Sequence, residues 1–169
     1  MALLRNKMPK SATKALDRTD RRILEQLQAD GRLSNQALAE RVALSPSPCL
    51  RRVRALERAG VIRGYAALLD PARVGLGLLA YVSVKLEKRG KMPVDQFTRA
   101  VQSWPEVIAS YSMTGDMDYL MRVQVEDLEH YSRFVMDKLL KQPGVIDIRT
   151  NFVLERIKET PALPLEHLA

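Results

Sequence analysis

The spacing of apolar residues in the N-terminal third predicts three short helices. Apolar positions recur with helical periodicity from Leu16 and stop before Gly31, which predicts a first helix near residues 18–29. Ser34 is a good N-cap for a second helix with the sequence "NQALAERV". A tight turn, "ALS", then leads into a third helix, and this order is typical of a helix-turn-helix unit.

The third predicted helix begins in the segment "SPSPCLRRVRALERAG", residues 45–60. Ser45 is its expected cap, and Pro46 and Pro48 fall at its first and third positions, where their missing N–H groups have no helical partner to lose. Its spacing predicts a buried face of Cys49, Leu50, Val53 and Leu56 and a basic face of Ser47, Arg51, Arg54 and Arg58. Such a helix suits the major groove of DNA, although a solvated amphipathic helix has the same pattern.

Two segments after Gly60 have different patterns. Val61 and Ile62, followed by Arg63 and Tyr65, predict a short strand or wing that closes the helical unit. Residues 66–77 contain the turn signals Asp70-Pro71, Gly75 and Gly77, which indicate a linker.

The hydrophobic pattern changes from helical to alternating beyond residue 77. "LLAYVSVKLEK" and "YLMRVQVE" alternate like strands, and each is separated from a further strand by a helical stretch or a turn. The fragments "PEVIAS" and "PGVIDI" occupy equivalent places after the two helices. We therefore expect an α+β chain in which a ferredoxin-like βαββαβ domain covers residues 78–157. One face of such a sheet has no helices on it, which favours dimerisation.

Charge is distributed unevenly along the 169 residues. Residues 1–65 contain 14 Lys and Arg against 6 Asp and Glu, whereas residues 66–169 contain 13 against 14. All of the net charge of +7 therefore arises in the N-terminal part, which favours a module that binds a polyanion there. Extra surface arginines for solubility would give the same count. The basic segment 1–15 is expected to be a disordered arm.

Composition argues against several classes of protein. A single cysteine and two distant histidines argue against a zinc or iron–sulfur centre, so we expect neither a metal nor a cofactor. No apolar run reaches membrane-spanning length, and the first residues do not resemble a secretory signal, so we expect a cytoplasmic, nucleoid-associated protein with no membrane partner.

The segment "SMTGDMDYL" lies between the two halves of the predicted sheet. Gly115 with Asp116 and Asp118 is typical of a turn between strands. Two carboxylates beside glycine N–H groups also meet the demands of a free amino acid, so a ligand site is an alternative. The same pair is the best acid–base candidate for an enzyme, but no second constellation of His, Ser or Cys accompanies it, and we expect no catalysis.

The order of these motifs resembles the Lrp/AsnC (feast/famine) family of prokaryotic transcription factors. The likeness runs from about residue 16 to 157 and rests on "SPSPCLRRVRALE", "GVIRGY", "TGDMDYL" and "PGVIDIRT" at the expected separations. It implies a winged helix-turn-helix over 16–65, a linker, a sensor domain and a tail over 158–169 that we expect to be loose. It also implies dimers that assemble into octamers on double-stranded DNA, and an amino acid bound between dimers.

The resemblance assigns residues to two sites. The DNA contacts it implies are Ser34, Asn35, Gln36, Ser45, Ser47, Arg51, Arg52, Arg54 and Arg63. The effector contacts it implies are Ser112, Thr114, Gly115, Asp116 and Asp118, with Asn151 and Val153 of the last strand opposite. The function expected is a sequence-specific regulator whose oligomeric state or operator binding responds to leucine or another amino acid. The alternative is an architectural DNA-binding protein of the same fold without an effector.

Overall fold

Capping residues set the helix boundaries in the N-terminal unit of the computed structural model, which describes residues 16–87 and 92–168. The expected basic arm, 1–15, lies outside the described residues. Helices α1, α2 and α3 span Arg18–Ala29, Asn35–Arg41 and Pro46–Arg58. Asp17 caps α1 in a reciprocal capping box with Asp20, and Ser34 Oγ accepts the N–H of Ala37 at the start of α2. Ser45 occupies the N-cap of α3 as predicted, but its side chain makes no capping hydrogen bond.

The three helices enclose a small apolar core. Its buried residues are Ile23, Leu24, Leu38, Ala39, Val42, Cys49, Val53 and Leu56. Leu50 was expected on this inner face, and that prediction is wrong, because its side chain is 36% exposed. The buried residues of α3 are four and three positions apart, and Leu50 lies outside the stripe that this spacing defines.

The predicted wing strand is absent, since residues 59–77, all of them described, contain no strand. Instead the N–H groups of Val61 and Ile62 both bond to the carbonyl of Leu56, at 3.0 and 3.3 Å, and the two side chains pack against the helical core. A strand needs a neighbouring strand to satisfy its backbone groups, and no described part of the chain pairs with this segment.

The C-terminal segment was expected to be loose but packs against the N-terminal unit. The described residues 159–168 belong to the same compact unit as residues 16–67. The Gln28 side chain makes two hydrogen bonds to the backbone of Leu163. Its amide oxygen accepts the Leu163 N–H at 2.7 Å, and its amide nitrogen donates to the Leu163 carbonyl at 3.1 Å. Leu165 and Leu168 pack against the helical core.

Residues 68–158 form the second unit, in the predicted order βαββαβ. A short 3-10 turn, Ala72–Val74, precedes the sheet. The strands are β1 Leu78–Leu86, β2 Val107–Ser112, β3 Tyr119–Val125 and β4 Val145–Phe152. Helix α4 spans Met92–Ser103, and α5 spans Leu128–Phe134 and continues as a π-helical turn over Val135–Leu139. The repeated fragments "PEVIAS" and "PGVIDI" lead into β2 and β4, as the internal similarity predicted.

The sheet is antiparallel throughout, with strand order β2-β3-β1-β4. Alternate residues of β1 and β3, such as Val82 and Val123, are fully buried in a core that includes Phe97 and Phe134 from the two helices. Leu128, at the start of α5, lies outside this core and is 62% exposed. This α+β arrangement is the predicted ferredoxin-like sandwich, with both helices on one face of the sheet.

The other face of the sheet carries aromatic and aliphatic side chains on neighbouring strands. Tyr81 and Tyr111, which alternate with core-facing neighbours, are 36% and 55% exposed. Leu120 and Ser83 are paired across β3 and β1 between them. The described chain therefore leaves an amphipathic sheet surface open.

Candidate nucleic-acid interface and ligand site

Helix α3 presents one continuous basic face. Arg51, Arg54 and Arg58 line a shallow groove of about 250 Å³ together with Ser47 and Leu50. Within the part of the chain that the structure describes, none of these three arginines forms an ion pair. Free guanidinium groups on an exposed helix can bind phosphate oxygens or the paired acceptors of guanine.

Arg52 differs from its neighbours because it turns back onto α1. Its Nη1 lies 2.7 Å from a carboxylate oxygen of Asp20 and 2.8 Å from one of Asp17. The hydrogen bonds that Arg52 donates to these two carboxylates raise the pKa of Arg52, while the backbone N–H of Asp20 and the bond from Arg52 lower the pKa of Asp17. The guanidinium of Arg52 therefore joins α3 to α1, and its assignment to DNA stays a prediction.

The first turn of α2 holds three more of the assigned residues. Ser34 is the cap of α2, and Asn35 donates its amide to the carbonyl of Pro46 at 2.9 Å. The Asn35 side chain therefore positions the start of α3 relative to α2. Gln36 is exposed and reaches Glu40 at 3.4 Å.

Ser45 and Arg63 flank the basic face in the chain. Ser45 is exposed at the start of α3, and its hydroxyl is not used as a cap. Arg63 is exposed beyond the helix and is followed by Gly64, whose φ of 153° only glycine adopts readily.

The Gly-Asp segment forms a turn between β2 and β3. The N–H of Met113 bonds to the carbonyl of Asp118 at 2.9 Å, and Gly115 at its tip has a φ of 113°. Asp118 is a structural anchor, because its backbone N–H donates to Val84 at 3.0 Å and its carboxylate accepts the N–H of Leu86 at 2.8 Å. This confirms the turn that was predicted from the glycine and aspartates.

Beside this turn lies a cavity of about 340 Å³. Its lining contains two of the predicted effector residues, Ser112 and Asp118. Thr114, Gly115 and Asp116 are exposed on the turn and do not line it. The sequence-based assignment missed Leu86, Glu87, Val94, Met113 and Tyr119, which complete the wall.

Asn151 and Val153 do not lie opposite the turn in the same chain. The turn is at the end of the sheet where Tyr119 pairs with Val84, whereas Asn151 pairs with Tyr81 and the Val153 N–H bonds to Leu79. Five residues of β1 separate Val84 from Leu79, which is about 17 Å along the strand. Antiparallel pairing therefore sends the end of β4 away from the turn of its own chain, and the assignment of Asn151 and Val153 to a site between dimers stays a prediction.

A buried ion pair fixes the start of β2. Lys138 Nζ lies 2.5 Å from Glu106 Oε1, and the Glu106 side chain is only 9% exposed. Burial is the largest single influence and raises the pKa of this carboxyl. The hydrogen bond and charge of Lys138, a backbone hydrogen bond and the His130 side chain together outweigh it, so the pKa lies below the ordinary value. His130 Nε2 lies 3.7 Å from the same oxygen.

The described residues contain no cluster of three or more His, Cys, Asp or Glu side chains that could hold a metal ion. Cys49 is fully buried, and burial raises the pKa of its thiol. A buried thiol of raised pKa is a packing group and a poor nucleophile. Among the described residues, no helix is long and apolar enough to span a membrane.

Two family profiles match the chain, and each covers one of its two units. A winged helix-turn-helix DNA-binding profile matches residues 16–63. The Lrp/AsnC ligand binding domain profile matches residues 79–163.

Curated relatives and solved structures agree with both profiles. Leucine-responsive regulatory proteins of Escherichia coli K12 and Salmonella typhimurium are 44% identical over 153 residues, which cover 90% of this chain and 93% of theirs. A transcriptional regulator of Neisseria meningitidis, solved as an L-Met complex, is 50% identical with a TM-score of 0.89, covering 92% of this chain and 100% of its own. An AsnC family regulator of Agrobacterium tumefaciens is 39% identical with a TM-score of 0.85, covering 90% and 99%. The helix-turn-helix unit carries exposed arginines on α3, and both units match the family profiles and the relatives. The chain therefore belongs to the Lrp/AsnC family of DNA-binding transcriptional regulators.

Proposed function

We propose that α3 enters the major groove of double-stranded DNA and that its basic face makes the contacts. The observation that carries this proposal is the row of unpaired guanidinium groups at Arg51, Arg54 and Arg58 on one exposed face. Ser47 lies one turn before Arg51, near the helix N-terminus, where side chains of a recognition helix reach base edges. Ser45, Gln36 and Arg63 flank this face and are proposed to bind phosphates.

The DNA proposal is tested with Arg54→Met in the full chain, measured against duplexes selected from a random pool. Losing a phosphate contact lowers the slope of log affinity against log salt by about one, whereas losing a bidentate base contact costs about 1–3 kcal/mol and relaxes specificity at one position. Arg73 is the matched control, since it is an exposed arginine outside the helical unit and pairs with Asp70 at 3.4 Å. Unchanged affinity and salt slope for Arg54→Met would refute the assignment.

We infer that the sensor unit binds an apolar amino acid in the cavity beside the Gly-Asp turn. Leu86, Val94 and Met113 offer apolar wall for a side chain, and the carboxylates of Glu87 and Asp118 offer partners for an ammonium group. One oxygen of Asp118 accepts the N–H of Leu86, so only the other is available to a ligand. The L-Met complex of the Neisseria regulator supports this ligand class, and leucine has a side chain of similar size.

Asp118→Asn separates ligand binding from folding. An asparagine oxygen can still accept the Leu86 N–H, while the negative charge is removed. In a thermal-shift screen of the twenty amino acids, the unchanged protein should be stabilised by leucine, methionine or a similar residue, and the variant should lose that shift at an unchanged apo melting temperature. If no amino acid stabilises the unchanged protein, the architectural alternative is favoured and the effector proposal fails.

We further propose that the open sheet face of Tyr81, Tyr111 and Leu120 pairs with a second copy, and that dimers assemble into octamers. Exposed aromatic and aliphatic side chains on a flat sheet are suited to self-association. Asn151 and Val153 would reach a Gly-Asp turn only if another copy supplied that turn, which agrees with a site between subunits. Tyr81→Glu should dissociate the dimer in analytical ultracentrifugation, and a wild-type sedimentation coefficient for that variant would contradict the interface.

A further inference from the structure

Leu50 is an apolar side chain at the edge of the basic face of α3. It lines the same groove as Arg51 and Arg54 and is 36% exposed. Its neighbours Cys49 and Val53 are buried, and Leu50 does not pack against the helical core. The sequence pattern predicted that Leu50 is buried. Its exposure therefore results from how α3 packs against the other helices.

The chemistry of the major groove provides a partner for such a side chain. Every base pair presents hydrogen-bond donors and acceptors there, but only the C5-methyl group of thymine, or of 5-methylcytosine, is apolar. Leu50 is three residues from Ser47 and four from Arg54, so it shares their face of the helix. A helix that presents this face to base edges therefore brings Leu50 to them as well.

A protein or small apolar ligand would also cover a leucine, but the surroundings disfavour both. Arg51, Arg54 and Arg58 line the same groove as Leu50, and none of them has an acidic partner among the described residues. A cationic rim fits a polyanion, and DNA is the polyanion that also offers methyl groups. We propose that Leu50 reads the 5-methyl group of a pyrimidine in each half-site, an inference that rests on the proposed DNA-binding function of α3.

The test replaces single thymines by uracil in a duplex selected from a random pool with the full-length protein. Uracil pairs like thymine and lacks only the methyl group. At one position in each half-site the unchanged protein should lose about fourfold in affinity, the value expected for one buried methyl group. Leu50→Ala should be insensitive to uracil at that position, whereas Leu50→Met, which keeps an apolar side chain, should retain the discrimination.

Leu163→Ala is the matched control, because Leu163 is a 69% exposed leucine of the same unit, outside α3. It should discriminate thymine from uracil as the unchanged protein does, and melting temperatures verify that all variants fold. Indifference of the unchanged protein to uracil everywhere, or an equal loss in Leu50→Ala, would overturn the role of Leu50. Selection of no preferred sequence would overturn sequence reading by α3 itself, which is a separate failure.

Discussion

Arg51 and Arg52 are adjacent in sequence, and we predict opposite consequences for their replacement by methionine. Arg51 is exposed on the groove face of α3, whereas Arg52 bridges two carboxylates of α1. Methionine retains much of the aliphatic stem and removes the charge. Arg52→Met should destabilise the helical unit without a direct loss of DNA contacts, and Arg51→Met should weaken DNA binding without a loss of stability.

The magnitude for Arg52 follows from the burial of its partners. Asp20 is 5% exposed and lies 2.7 Å from the guanidinium, so the substitution leaves a buried carboxylate without its cation. Breaking a fully buried pair costs about 3–5 kcal/mol, but the Arg52 side chain is 34% exposed and water reaches the pair. We expect a loss of about 2 kcal/mol, close to the value of a charge-assisted hydrogen bond. The exposed Asp17 contributes little to this sum.

The assay is thermal and urea unfolding of the full chain, followed by DNA binding at a temperature where every variant is folded. For a unit of this size, 2 kcal/mol lowers the melting temperature by about 10 °C. Adding Asp20→Asn to Arg52→Met should recover much of the loss, because the buried charge is removed. The free energy of unfolding of Arg51→Met should lie within about 0.5 kcal/mol of that of the unchanged protein. Its free energy of DNA binding should be weaker by about 1–3 kcal/mol.

The reasoning is refuted if Arg52→Met melts like the unchanged protein and weakens DNA binding as strongly as Arg51→Met. That result would mean that Arg52 leaves the carboxylates of α1 and contacts DNA, as the family resemblance had implied.

Three further predictions concern parts of the chain outside the DNA-binding face. Truncation after Lys158 should destabilise the helical unit by about 1–2 kcal/mol, because it removes the Gln28 hydrogen bonds and the packing of Leu165 and Leu168; an unchanged urea midpoint would contradict this. The sensor unit should lose stability as pH falls from about 4.5, the ordinary value for glutamate, through the lower folded pKa of Glu106, since a depressed pKa stabilises only above the unfolded one. Glu106→Gln should flatten that acid limb in urea titrations, and an identical limb would exclude Glu106 as its source. Cys49 should react with a thiol reagent rapidly only after unfolding, so fast labelling of the native protein would disprove its burial.

Local rules predicted the elements of this protein closely. The first helix was predicted at 18–29 and is found at Arg18–Ala29, because capping and apolar spacing act within a few residues of each other. The prolines at the start of α3 and the βαββαβ order were also predicted correctly, since turn chemistry and periodicity are local properties. The Gly-Asp turn between β2 and β3 was predicted correctly for the same reason, because glycine and aspartate favour turns locally.

Tertiary structure decided which side chains are available for function. Arg52 and Arg54 have the same chemistry in the sequence, but only the packing of α3 against α1 gives Arg52 two carboxylate partners. The same packing leaves Leu50 outside the core. In the sensor unit, strand pairing brings Leu86 and Glu87 to the cavity at the turn and carries Asn151 to the other end of the sheet. Sequence by itself determined the elements and the family, whereas side-chain partners depend on contacts between residues far apart in the chain, which no local pattern encodes.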